Sequence, residues 1–132
     1  MDGARLTNYL LDTTFLIDHL RGKPEAVDRL RRMVETGDVT LVNDVVCAEA
    51  WAGAPADDDE ALTTLLRFLE FVASGPHHAR LAGRWRAQSI AAGHDIGIAD
   101  ALIAACAHVS QSNVVTRNVR HFAQTPVSVE TY

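Results

Sequence analysis

The sequence predicts an α/β fold, a three-layer α/β/α arrangement with a parallel central sheet, in a single domain over residues 1–132. Three observations predict it. Short apolar runs (NYLLD, VTLV and NVVT) recur along the chain. Longer stretches with apolar residues at helical spacing separate them. Strands that are apolar throughout belong in a parallel sheet covered by helices on both faces.

The elements follow in order. Residues 8–12 form the first strand, and residues 13–21 are helical until Gly22, Lys23 and Pro24 break the pattern. Residues 25–36 form an amphipathic helix presenting Val27, Leu30 and Val34, with Gly37 as its C-terminal stop. Residues 39–42 are the second strand and 44–54 a helix. The acidic run at 55–60 reads as a loop feeding a helix, its acids near the positive end of the helix dipole. It lacks the ligand spacing of a calcium loop. Residues 59–72 are a helix carrying Leu62, Leu65, Leu66 and Leu69, and 77–92 another carrying Leu81 and Trp85. A loop at 93–97 leads to an apolar helix that starts at Ile98 or Asp100 and ends at Val109. Residues 113–116 are the third strand, and 127–130 a final extended segment.

Composition narrows the function classes. Hydrophobic residues make up 48% and charged residues 22%, which places the chain among folded proteins rather than disordered ones. The longest uncharged stretch, residues 101–116, contains His, Ser, Gln and Asn and is too polar to span a bilayer. The N-terminus carries Asp2 and no apolar leader, so the expected location is the cytoplasm. Cys47 and Cys106 lie far apart in apolar surroundings and read as buried free thiols. The six histidines show no HExxH or HxH pattern, which argues against zinc. A net charge of −5 argues against a broad basic nucleic-acid surface, although bound cations would offset it at a nuclease site. Eleven of the twelve basic residues are Arg, and Lys23 is the one Lys.

Three of the seventeen acids stand in apolar sequence, where an ionised carboxylate is costly unless paired or metal-bound. Asp12 ends the first strand, Glu49 sits mid-helix in VVCAEAWAG, and Asp100 sits in GIADALIAACA. Helix capping accounts equally well for Asp12 and Asp100, whereas Glu49, mid-helix, has no capping role and only arginine pairing as its lesser alternative. Ligand sites in parallel sheets lie beyond the carboxyl ends of the strands, however. There one pocket collects Asp12, Glu49, Asp100 and Asn118, the last just past the third strand. An all-oxygen set suits Mg²⁺ or Mn²⁺, and its chemistry is phosphodiester hydrolysis.

These segments resemble a known family. LLDTTFLIDHL, AEAWAG, IADALIAACA and VVTRNVRHF are similar, in this order, to the four motifs of the PIN-domain toxins of the VapC type. The likeness runs from Asn8 to about Val129. It implies a PIN-like fold and a Mg²⁺- or Mn²⁺-dependent endoribonuclease acting on RNA such as tRNA or rRNA. It implies a homodimer and a VapB-like antitoxin, with DNA met only through that antitoxin. It places the catalytic set at Asp12, Glu49, Asp100 and Asn118, with the metal on Asp12, Glu49 and Asp100. The fourth position in the family is often Asp, and here it is Asn118.

Smaller expectations attach to nearby residues. Thr13 and Thr116 are placed to hydrogen-bond the ligating carboxylates. Arg117 and Arg120 flank Asn118 and are placed to meet RNA phosphates, or else to pair with acids. His121 is expected on the surface, with the groove as the alternative. Asp95 reads as a turn residue. Trp51 and Trp85 read as core or dimer contacts. A dehalogenase-like phosphatase would need a second Asp at position 14, which is Thr, and a receiver domain would need a Lys in the last third. The remaining alternative is a catalytically weakened PIN-fold module that binds antitoxin or RNA.

Overall fold

The computed structural model describes residues 6–132, so Asp2 and the N-terminal segment read above lie outside it. Five parallel strands form one sheet in the order β3-β2-β1-β4-β5. They are β1 (Asn8–Leu11), β2 (Val39–Asn43), β3 (Glu70–Val72), β4 (Asn113–Val115) and β5 (Val129–Glu130). Six helices join them: α1 (Thr13–Leu20), α2 (Pro24–Thr36), α3 (Asp44–Gly53), α4 (Asp59–Phe68), α5 (Pro76–Ala91) and α6 (Ile98–Val109).

The central strand β1 buries Leu10 and Leu11 completely, and β4 does the same with Val114 and Val115. Such pairs of adjacent buried residues arise when helices cover both faces of a strand. Against them lie Phe15 and Leu16 of α1, Val46 and Ala50 of α3, and Ile103, Ala104, Cys106 and Ala107 of α6, all with no exposure. The small residues of α6 let it lie close to the sheet and to α5.

Two elements differ from the sequence-based expectation. The helix begun at Asp59 ends at Phe68, and Glu70–Val72 instead pairs with Leu41–Asn43 as an edge strand. The apolar spacing through Leu69 continues unbroken, so periodicity gives no sign of the change. The unpaired edge of β2 decides it. In α2 the buried face is Ala26, Leu30 and Met33, while Val27 and Val34 are 37% and 45% exposed. Both sets fit helical spacing around Leu30, and the small Ala26 allows the closer approach. Gly37 does stop α2: at φ 83° it donates its N–H to the Met33 and Val34 carbonyls. Among the described residues no helix is long and apolar enough to cross a membrane.

From β1 the chain moves outward through β2 and β3, whereas β4 and β5 lie on the other side. The strand order therefore reverses between β1 and β4, and a crevice opens beyond their carboxyl ends.

Candidate active site

Asp12 follows β1 at that crevice. Its N–H donates to the Val115 carbonyl at 3.0 Å, extending the β1–β4 pairing by one residue. It occupies the N-cap position of α1 without making a side-chain cap bond. Its Oδ2 instead accepts the Thr116 hydroxyl at 2.7 Å and the Thr14 hydroxyl at 3.3 Å. Each of these hydroxyls also accepts a backbone N–H: Thr116 from Asn118 at 2.9 Å and Thr14 from Arg117 at 3.0 Å. A hydroxyl oxygen that accepts from an amide has its own proton free to donate. Asp12 Oδ2 thus acts as the acceptor of both hydroxyls.

Glu49 projects from α3, which packs on α1, and its Oε1 accepts the Thr13 hydroxyl at 2.7 Å. Asp100 is the third residue of α6, in the helix's first turn rather than at its cap, which is Gly97. The Asp100 Oδ2 meets His121 Nδ1 at 3.1 Å. His121 sits on a short 3₁₀ turn, Val119–Phe122, rooted by the buried Phe122. A cleft of about 520 Å³ is lined by Asp12, Thr13, Glu49, Ala52, Gly53, Asp100, Asn118 and His121. The four residues expected to share a pocket therefore share one, drawn from β1, α3, α6 and the segment after β4.

The carboxylates sense one another. Burial pushes the Asp100 carboxyl above its ordinary value, and the negative charges of Asp12 and Glu49 push the same way against the opposing pull of His121. A cation in the cleft would relieve that repulsion. Among the described residues no three of His, Cys, Asp and Glu stand close enough to close round a single ion. The donors are nonetheless hard oxygens, three carboxylates and one amide, facing an open cleft. That suits Mg²⁺ or Mn²⁺, since Mg²⁺ keeps several of its waters and is held by one or two carboxylates at a time.

The flanking residues separate into two groups. Arg120 lines an adjoining hollow of about 270 Å³ that shares Asp100 and His121 with the cleft. Arg117 turns away, its Nη1 lying 2.8 and 3.0 Å from the two oxygens of Asp18. Asp95 is largely exposed, pairs with Arg86 at 3.5 Å and lines the hollow rather than the cleft. Trp51 is 40% exposed on α3, while Trp85 is half-buried with its ring edge-on to His108. Cys47 and Cys106 are free thiols, and burial pushes Cys106 up to about 11.

Sequence reasoning missed Thr14 and Asp18. Thr14 is the second of two threonines after a strand-ending Asp, and only the first was singled out. Asp18 falls in LIDHL, where one acid in a short helix looks solvated. Its 1% exposure is visible only in three dimensions.

Comparison with known proteins agrees with this fold. The PIN domain family profile matches residues 9–127, and the chain belongs to that family. Within it, the chain is similar to ribonuclease VapC19 of Mycobacterium tuberculosis, with 32% identity over 117 residues, 89% of this chain and 94% of the relative. Among solved structures it is similar to VapBC2 from Rickettsia felis bound to a promoter DNA fragment (TM-score 0.85, 21% identity, covering 96% and 99% of the two chains). It is also similar to DNA-bound VapBC from Salmonella typhimurium (TM-score 0.81, 26% identity, covering 96% and 98%).

Proposed function

We propose that this chain is a Mg²⁺- or Mn²⁺-dependent endoribonuclease, the toxin of a type II toxin–antitoxin pair. One observation carries the reading: Asp12, Glu49, Asp100 and Asn118, from four separate segments, line one cleft at the β1/β4 reversal. The likeness to a VapC ribonuclease supplies RNA as the substrate class.

A bound Mg²⁺ or Mn²⁺ would supply positive charge toward the scissile phosphate and lower the pKa of an attacking water. Asp12, Glu49 and Asp100 would hold it, and Asn118 would add a neutral oxygen to it or to its water. Thr14 and Thr116 fix the rotation of the Asp12 carboxylate, Thr13 fixes Glu49, and His121 fixes Asp100. In hydrolysis a bond forms from the water oxygen to phosphorus, the bond to the leaving ribose oxygen breaks, and that oxygen gains a proton. Arg120, exposed beside the cleft, is the arginine placed to meet an RNA phosphate, because Arg117 is held by Asp18. tRNA or rRNA is the expected substrate.

The VapBC likeness supports a VapB-like antitoxin as partner; that DNA is met only through it rests on the family resemblance. The homodimer rests on the family resemblance.

Purified, antitoxin-free protein is to be incubated with total cellular RNA and Mg²⁺ or Mn²⁺, with EDTA as control. Discrete cuts that need the metal support the proposal. RNA or antitoxin binding without cleavage, across metals and RNA pools, would replace it with the binding-module alternative.

A further inference from the structure

Asp18 is a buried carboxylate that takes no part in the cleft, yet three groups converge on it. Arg117 Nη1 reaches both its oxygens, the Tyr132 hydroxyl donates to it at 2.5 Å, and Lys23 Nζ lies at 3.4 Å. Tyr132 is itself seated edge-on against the buried Phe15 ring, with centroids 5.0 Å apart. Burying a charged pair is weak evidence of stabilisation, since desolvation offsets the attraction. Its value lies in fixing one arrangement, and what it fixes is Arg117.

Arg117 is held at two points by one helix. Thr14 and Asp18, four residues apart and so on one face of α1, take its backbone N–H and its guanidinium respectively. The next residue is Asn118. Its N–H donates to Thr116, whose hydroxyl donates to Asp12. From Asp18 to the Asp12 carboxylate the contacts are continuous: a guanidinium, a backbone turn and two hydroxyls.

We propose that Asp18 is a positioning residue for the active site. Through Arg117 it sets the backbone of residues 116–118, and with it the direction of the Asn118 side chain and of both hydroxyls on Asp12. The inference rests on the nuclease reading above and assigns Arg117 a role apart from RNA contact. Tyr132 and Lys23 complete the seat of Asp18, which ties the end of the sheet beyond β5 to the cleft.

The test uses full-length protein carrying Asp18→Asn or Arg117→Lys, the second retaining the charge while removing the guanidinium that reaches both Asp18 oxygens. Amide hydrogen exchange at Arg117 and Asn118 should rise about tenfold or more, while β4 amides stay as protected as in the wild type. Turnover on RNA should fall about tenfold or more at saturating Mn²⁺, with KM for RNA within about twofold, the range expected on removing a residue that orients a ligand. Unchanged exchange, or raised exchange with undiminished kcat, would overturn the proposal. A raised KM with kcat retained would overturn it too, returning Arg117 to the RNA phosphates. Should Asp18→Asn fail to fold, Arg117→Lys carries the test. A wild-type protein that cuts no RNA would remove the nuclease reading, and the exchange experiment would still decide whether Asp18 sets the 116–118 segment.

Discussion

Thr116 and Asp12 lie 104 residues apart in sequence, yet the hydroxyl of one donates to the carboxylate of the other across 2.7 Å with both side chains buried. Pairing of β1 with β4 brings them together: Leu11 is in register with Val115, and each site residue is the next along its strand. Thr116→Val keeps the shape and removes the hydroxyl. It should lower cleavage about tenfold to a hundredfold, as loss of a partner that orients a ligand does. It should also cost about 1–3 kcal/mol in urea unfolding, because the Asn118 N–H loses its acceptor. Full activity in this variant would show that Asp12 needs no orienting hydroxyl.

Asp12→Asn and Asp100→Asn should each abolish metal-dependent cleavage while leaving the fold intact. For Asp100 the thermal midpoint measured in EDTA should hold or rise, since the substitution removes a carboxylate pushed up by burial and by two neighbouring negative charges. Wild-type cleavage by either variant would refute the site assignment. Asn118→Asp should leave activity intact or shift the preference between Mg²⁺ and Mn²⁺. Complete inactivation of a folded Asn118→Asp protein would mean that the fourth position works in another way.

Divalent cation should stabilise the protein through the same carboxylates. Binding to the folded state alone raises stability by about 2.7 kcal/mol when the ligand is present at a hundred times its Kd. A thermal-shift titration with Mn²⁺ should therefore raise the midpoint in the wild type, with no rise in Asp12→Asn. Equal rises in both would place the cation elsewhere.

Asp18 gives stability a defined pH dependence. Burial alone would raise its pKa, but the Tyr132 hydrogen bond and the positive charges of Arg117 and Lys23 outweigh that and leave it below the ordinary value of 3.8. A depressed folded-state pKa means that the unfolded chain binds the proton more readily. The stabilisation is therefore fully present above the unfolded value and is lost as pH falls through the folded one. Urea midpoints should drop below about pH 4 more steeply in the wild type than in Asp18→Asn. Parallel acid limbs would show that the group is not ionised in its buried seat.

How much of this was legible in the sequence depends on what each residue advertises. Asp12, Glu49 and Asp100 stood out because an acid in apolar sequence demands a reason, and strand order did the rest by placing their ends at one crevice. The strand Glu70–Val72 did not stand out. Its residues continue the apolar pattern of α4, and Glu70 and Phe71 are exposed on the sheet's edge, so its identity rests on pairing with β2. The buried face of α2 was misread by a fraction of a turn because Val27 and Val34 outrank Ala26 in hydrophobicity but not in fit. Asp18 was passed over for the converse of the reason that flagged Asp12: between His19 and Ile17, with Lys23 close by, nothing local demands its burial. Its partners Arg117 and Tyr132 are about a hundred residues away, and only the folded chain brings them to it.

The central claim is that Asp12 and its neighbours cut RNA with a divalent cation. Its most direct test is single-turnover cleavage of an RNA substrate at increasing Mn²⁺, with wild type and Asp12→Asn prepared and refolded side by side. The account predicts a rate that rises with Mn²⁺ and saturates in the wild type, vanishes in EDTA and stays at background in Asp12→Asn. Cleavage that persists in EDTA, or equally in the variant, would contradict it.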